Sequence, residues 1–300
     1  MRKALLGAVA AVALVLVGAG PAAATWSIVA VDEATGEVGV AGAACARDAP
    51  DSAAVAPGQG AVVAQGELSK PARDAARDLI VSGAGPAEVI ARITDPVFDP
   101  SAARRQYAVA VRGQGVAVHT GLDVRREALS APASGGAASV QADQVELPAV
   151  VEQAAAAFER SSGGADRLGD RLLRALEAGS AAGGDRRCAN DSDPPTAKSA
   201  FVLVARPEDS AEQPAIAIAV GARKNQNPLV ELRERYNEAR PAVYGDCPGC
   251  DLAGLEVPTR TAQRLTAVEI GIGLAAMAAF VVLSRRVRLA RSASRRRETD

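Results

Sequence analysis

Apolar and polar positions alternate from Thr25 to Val31, give way to the polar run Asp32-Glu33-Ala34-Thr35-Gly36, and turn apolar again from Glu37 to Ala44. This pattern predicts an opening β-hairpin, since strand side chains alternate between faces and Asp and Gly suit the turn, and Thr25 is expected to begin an edge or near-edge strand. A third strand is expected at Gly60–Gln65, followed by helices at Pro71–Val81 and Pro86–Ile93, each with a proline in its first turn. A second hairpin follows at Gln106–Val111 and Gly115–Thr120, and a further strand at Ala137–Gln141. Apolar residues at helical spacing then predict helices over Leu147–Arg160 and Asp166–Ala178, the second closed by Gly179 as C-cap. Strands at Ser199–Ala205 and Ala215–Val220 and an amphipathic helix at Pro228–Ala239 complete the pattern.

The order of strands, helices, strands, helices, strands suits two antiparallel sheets stacked face to face, because each sheet must bury one face on the other and one under helices. The expected fold is therefore α+β, a four-layer αββα sandwich over residues 25–245. A Rossmann-like fold is the alternative, but hairpins imply antiparallel pairing and no glycine-rich phosphate-binding turn follows a first strand. Aromatic residues make up only 3% of the chain, so its layers must pack through small side chains.

Both ends of the chain carry a different signal. Arg2 and Lys3, the apolar run Ala4–Val17 and the small-residue pattern Ala22-x-Ala24 read as a signal peptide over residues 1–24. Cleavage after Ala19 or Ala22 also fits, with the site after Ala24 preferred. At the other end Ala267–Ser284 is mostly apolar, enough for a minimal transmembrane helix at 266–284. Behind it Arg285, Arg286, Arg288, Arg291, Arg295, Arg296 and Arg297 form a basic tail, 285–300, that marks the cytoplasmic side and suits anionic lipid. Residues 246–265, with Cys247-Pro-Gly-Cys250 and little periodicity, read as a stalk. The expected arrangement is a single-pass protein of the cell membrane with its main domain outside. A sorting signal removed after export is a further reading of the C-terminal segment. Because the two ends are net positive and the whole chain is −1, the exported part is acidic, which argues against nucleic acid as a partner.

Cleavage after Ala24 would make Thr25 the N-terminal residue. A threonine hydroxyl is a weak nucleophile, and a free α-amine on the same residue, titrating near 8, is one group able to activate it. His119 is the only histidine, which leaves no histidine-rich metal site, and no Gly-x-Ser-x-Gly elbow supports a Ser-His-Asp hydrolase. No metal or cofactor is expected. Four cysteines in an exported domain point to disulfides and permit three pairings. Cys45 with Cys188 and Cys247 with Cys250 is preferred, the first tying the end of strand two to the Gly183-Gly184-Asp185 turn.

Thr25-Trp26-Ser27-Ile28-Val29-Ala30-Val31-Asp32 and Thr35-Gly36-Glu37-Val38-Gly39-Val40 are followed in order by Gly60–Gln65, Arg105-Gln106, His119-Thr120-Gly121, Gln141, Ala182–Arg187 and Ser199-Ala200. Together, over Thr25 to about Arg240, these segments resemble an uncharacterised bacterial family of the Ntn-hydrolase superfamily. The resemblance implies the αββα sandwich and an amide hydrolase in which Thr25 is the nucleophile. A small amide or peptide would be its substrate and signal peptidase the partner that unmasks it. It also makes Gln65, Arg105, His119, Asp185 and Arg186 site-lining candidates, an arginine and an amide being suited to a developing oxyanion. Ala142-Asp143 stands where many members carry Gly-Asn, Cys188 where they carry Gly, and Ala44-Cys45 where a serine is common. Two functional classes follow: a membrane-tethered extracytoplasmic amidohydrolase, or a catalytically silent cell-surface binding module on the same fold.

Overall fold

The computed structural model describes residues 25–124, 126–133, 136–145, 148–161, 166–190, 196–221 and 227–245. The expected signal peptide, stalk, membrane span and basic tail, together with Cys247 and Cys250, lie outside the described residues. Among the described residues no helix is long and apolar enough to cross a membrane.

The chain opens with strands β1 (Thr25–Asp32) and β2 (Val38–Ala44), the hairpin read from the sequence. Its turn is set by Asp32, whose Oδ1 accepts the N–H groups of Ala34 and Thr35 at 3.0 and 3.1 Å. Gly36 then adopts φ +73°, a conformation open to glycine at little cost. A 3-10 turn at Ala49–Ser52 leads to β3 (Ala53–Ala56) and β4 (Gly60–Gly66). Helices α1 (Lys70–Val81) and α2 (Pro86–Ile93) follow, α1 capped by Ser69, whose Oγ accepts the Ala72 N–H. Next come β5 (Arg105–Val111), β6 (Gly115–Thr120), β7 (Arg126–Ala133) and β8 (Gly136–Asp143). Helices α3 (Ala149–Arg160) and α4 (Leu168–Ala181), strands β9 (Ser199–Ala205) and β10 (Ile216–Gly221), and helix α5 (Pro228–Tyr244) are the remaining elements among the described residues.

These elements make a mixed α+β fold with two antiparallel sheets and five helices. One sheet has the order β10-β9-β2-β1-β8-β7, the other β3-β4-β5-β6. β1 is thus an interior strand, flanked by β2 and β8, with β7 beyond β8, instead of the edge or near-edge strand expected. The reason is non-local: β8 pairs along its other side more than a hundred residues later in the chain.

Alternation along β1 sorts the interior into separate cores. Trp26, Ile28 and Ala30 pack with Phe158 of α3, Leu172 and Leu176 of α4 and Leu232 of α5. Val29 and Val31 face the other way and meet Val63 and Ala108 of the four-stranded sheet. That sheet's other face buries Val62, Tyr107 and Val109 under Ala76 and Ile80 of α1 and Val89 of α2.

Two further sequence expectations change, and two strands are added to those read from the sequence. Gly179 is not a C-cap but lies inside α4, where a Cβ would come within 2.7 Å of the Trp26 indole nitrogen; the helix stops beyond it, at Gly183 and Gly184 with positive φ. α5 runs past Ala239 to Tyr244. Strand β3 was not expected because its Ala-Ala-Val-Ala run has no alternation. Strand β7 was obscured by its mixed composition and Pro132, which an edge strand tolerates.

Buried ion pairs join α4 to α5. Arg240 Nε and Nη2 donate to the two carboxylate oxygens of Asp170 at 2.8 and 2.9 Å, and Tyr236 Oη donates to Asp170 Oδ1 at 2.9 Å. Arg233 makes a matching two-pronged pair with Glu177, both bonds 2.7 Å. Burial pushes the Asp170 carboxyl up, but hydrogen bonds from Arg240, the Arg167 N–H and Tyr236 outweigh it and leave the group below its ordinary value.

A carboxyl held low in the fold contributes stability in full above its unfolded value of about 4 and loses it as the pH falls through the folded value. Arg240→Met should therefore cost about 3–5 kcal/mol at neutral pH by leaving Asp170 buried and unpaired. Urea unfolding should show that deficit at pH 7 and a narrower gap between variant and parent in strong acid.

Candidate functional site

Thr25 is the first residue of β1 and is 2% exposed. It pairs with Ala44 of β2 and, by strand alternation, shares the inter-sheet face with Ser27, Val29 and Val31. Below it runs a chain of buried uncharged polar side chains. Gln141 Nε2 donates to Ser27 Oγ at 2.5 Å, and Ser27 Oγ donates to Gln65 Oε1 at 2.6 Å. Gln65 Nε2 donates in turn to the Thr25 carbonyl at 3.0 Å and to Gln106 Oε1 at 2.7 Å, and Gln106 Nε2 reaches Thr120 Oγ1 at 3.2 Å. The chain crosses from β8 and β1 in one sheet to β4, β5 and β6 in the other. Its members Ser27, Gln65, Gln106 and Gln141 are at most 2% exposed, so these bonds stand in for water that cannot reach them.

The segment after α4 spans the two strands that flank the start of β1. Asp185 Oδ2 accepts the Cys45 N–H at 2.6 Å just beyond the end of β2, and Asp185 bridges Val145 just beyond the end of β8. Arg187 closes on the same carboxylate, its N–H to Oδ1 at 2.9 Å and Nη2 to Oδ2 at 2.7 Å. Cys188, three residues on, forms the disulfide with Cys45. The preferred pairing of these two cysteines is present, and it fastens the turn to β2 beside the row that holds Thr25.

The remaining candidates divide by face. Gln65 lies in the network against Thr25, and Asp185 at the turn beside it, but Asp185 spends its carboxylate on Cys45 and Arg187. Arg186 is half-buried, with its backbone N–H on the Gln144 carbonyl; the guanidinium on Asp185 belongs to its neighbour Arg187. Arg105 and His119 sit on the opposite face of the four-stranded sheet, because Gln106 and Thr120 take the inter-sheet face and strand neighbours alternate. Arg105 pairs with Asp99 at 2.9 Å and donates to the carbonyls of Glu67 and Leu68. Burial pushes the Asp99 carboxyl up, yet bonds from Arg105, the Ser101 N–H and Tyr107 hold it below its ordinary range. His119 lies beside Tyr107, ring centroids 6.1 Å apart, with Nε2 3.1 Å from the Ala102 carbonyl. Neither is in reach of Thr25, so the oxyanion role expected of an arginine does not fall to Arg105.

Ser27, Gln106 and Asp143 were not singled out as site residues from the sequence. The strand period signals two of them, Ser27 two residues from Thr25 and Asp143 two residues from Gln141, whereas Gln106 is placed by its pairing with Gln65 across β4 and β5. Among the described residues no group of three or more His, Cys, Asp or Glu side chains could hold a metal ion.

The fold and this site define a mixed α+β domain that begins on an interior strand and carries a buried amide and hydroxyl network between its two sheets. Residues 25–238 match the family of unknown function DUF1028, and the chain belongs to that family. A crystal structure of a protein from Silicibacter pomeroyi, described with the same family, is similar in fold, with a TM-score of 0.59 and 21% sequence identity over 72% of this chain and 89% of that one. None of the curated proteins matches the chain.

The network predicts the cost of cutting it. Gln65→Met keeps the side chain's length but strands the Thr25 carbonyl, the Ser27 hydroxyl and Gln106 Oε1 away from water. It should destabilise the domain by about 2–4 kcal/mol in chemical denaturation, whereas Arg186→Met should change stability by less than about 1 kcal/mol.

Proposed function

We propose that the chain is an extracytoplasmic, membrane-anchored amide hydrolase of the Ntn type, with Thr25 as nucleophile once the leader has been cleaved after Ala24. In this reading the two sheets and their covering helices are the αββα sandwich of that superfamily. The span at 266–284 anchors the domain and the arginine tail rests on anionic lipid. The observation that carries the proposal is the position of Thr25. It opens an interior strand, its carbonyl is fixed by Gln65, and its two neighbouring strands are tied together by the Asp185 turn. A residue that merely followed a leader would need none of these supports.

The chemistry follows from having hydroxyl and amine on one residue. The neutral α-amine takes the proton of Thr25 Oγ, directly or through one water, as the oxygen attacks the amide carbonyl carbon. The ammonium then returns that proton to the departing amine, leaving an ester on Oγ. Water, deprotonated by the same amine, attacks the ester, and the carboxylic acid leaves as the hydroxyl is restored. While residues 1–24 remain attached the nitrogen is an amide and accepts no proton, so cleavage and activation are one event. A small amide or peptide is the substrate class.

A β-lactone probe tests this. The processed chain should begin Thr-Trp-Ser and take up one probe on Thr25, with a rate that rises with pH as the amine loses its proton. Thr25→Ser should keep the adduct and Thr25→Ala should lose it. A different mature N-terminus, or no labelling of a correctly processed chain, would sink the hydrolase and favour the binding module.

A further inference from the structure

The register of β8 brings a buried carboxylate to the residue on which this reading depends. β1 and β8 pair antiparallel without a break from Asp32↔Gly136 to Trp26↔Ala142, and β8 continues to Asp143. The ladder ends at Trp26↔Ala142; carried on by one residue, the same register sets Asp143 opposite Thr25. Directly opposed residues of an antiparallel pair have their Cβ atoms about 4.5–5.5 Å apart and their side chains on one face. Asp143 is 2% exposed, as is Thr25.

Hydrogen-bond directions in the hairpin show which way the Thr25 nitrogen faces. Asp32 donates its N–H to the Glu37 carbonyl across the turn at 2.8 Å, so Ala30, Ile28 and Trp26, counted back in steps of two, direct their N–H groups toward β2. The residues between them, Thr25 included, direct theirs toward β8. The opposite side agrees: the Ala44 carbonyl, on the residue paired with Thr25, accepts the Lys198 N–H at 2.7 Å and so faces β9, away from β1. When the leader leaves, the new amine therefore points toward β8 at the level of Asp143, whose side chain stands on the face it shares with Thr25.

We infer that Asp143 is a positioning residue whose carboxylate pairs with the α-amine of the processed chain. The inference rests on the cleavage of the leader after Ala24 proposed above. An amine N–H given to the carboxylate turns the nitrogen lone pair toward the neighbouring hydroxyl, and the ammonium formed by proton transfer is held by the opposite charge. The same attraction favours the protonated amine, so activity moves to more alkaline pH. Among the described residues other charged groups also lie near the start of β1. Asp185 on the turn is neutralised by Arg187, and Arg186 is tied there through its backbone N–H to Gln144. Lys198 beside β9 is exposed, Arg126 of β7 stands opposite Asp143 in the backbone register, and among the described residues the network side chains of the four-stranded sheet are the uncharged Gln65, Gln106 and Thr120.

The amine can be titrated without any substrate. Competitive acetylation of the processed chain by acetic anhydride across a pH series, read by mass spectrometry on the Thr25 peptide with Lys70 as internal reference, gives its midpoint. The parent should titrate above the ordinary value of about 8, Asp143→Asn should fall by about one unit, and Asp143→Glu should stay high. The pH profile of β-lactone labelling should move with the amine. A parent midpoint at or below about 8 overturns the inference without any variant, and so does an Asp143→Asn midpoint equal to the parent's. A raised midpoint that falls in Asp143→Asn, with no adduct on Thr25, upholds the pairing and removes the hydrolase. A mature N-terminus other than Thr25 removes both.

Discussion

A glutamine placed between two sheets, out of reach of water, must find a protein partner for each donor and acceptor or destabilise the fold, and in this chain that demand is met only when both sheets are in register. Gln65 satisfies it with three residues from two strands: Ser27 and Thr25 on β1 and Gln106 on β5. A slip of one residue in β1 would turn Ser27 toward the helices and Val29's neighbours toward Gln65, so the network and the alternating core select the same register. The apolar contacts between the sheets supply most of the driving force, while the amides fix which of the possible alignments is taken. Thr25 inherits its position from that alignment.

The Asp185 turn acts on the same place from the other side. Its carboxylate and backbone reach the ends of β2 and β8, and the Cys45–Cys188 disulfide makes the first of these attachments covalent. A strand end is ordinarily where a sheet frays. Here the start of β1 lies between two tied neighbours, which holds the Thr25 backbone in place. The ion pairs of Asp170 and Glu177 with α5 keep the helical layer behind Trp26 in place, so rigidity at the site is continuous with the core.

Much of this was legible in the sequence. The hairpins, the proline-started helices and the two antiparallel sheets follow from alternation, turn residues and helical spacing, all of which are local. Gln65, Asp185 and the Cys45–Cys188 pair, all readable from the sequence, lie near Thr25. What was not legible depends on which strand lies beside which. The interior position of β1 comes from β8, the burial of Gly179 inside α4 comes from the Trp26 ring, and the removal of Arg105 and His119 to the far face comes from the partners of Gln106 and Thr120. Sequence order put Arg105 one residue from a network member, and in a strand one residue is the difference between the two faces.

The interior place of β1 bears on how the domain comes to be folded at all. Its hairpin with β2 is local, but the Ser27–Gln141 bond joins residues 114 apart and the disulfide joins residues 143 apart. Contacts of such long range carry a high loop-closure cost before they return anything, and chains rich in them fold slowly. The strand synthesised first is therefore enclosed late, with one flank waiting for residues 136–143 to arrive. Until then it offers an unpaired apolar edge, open to pairing with other nascent strands.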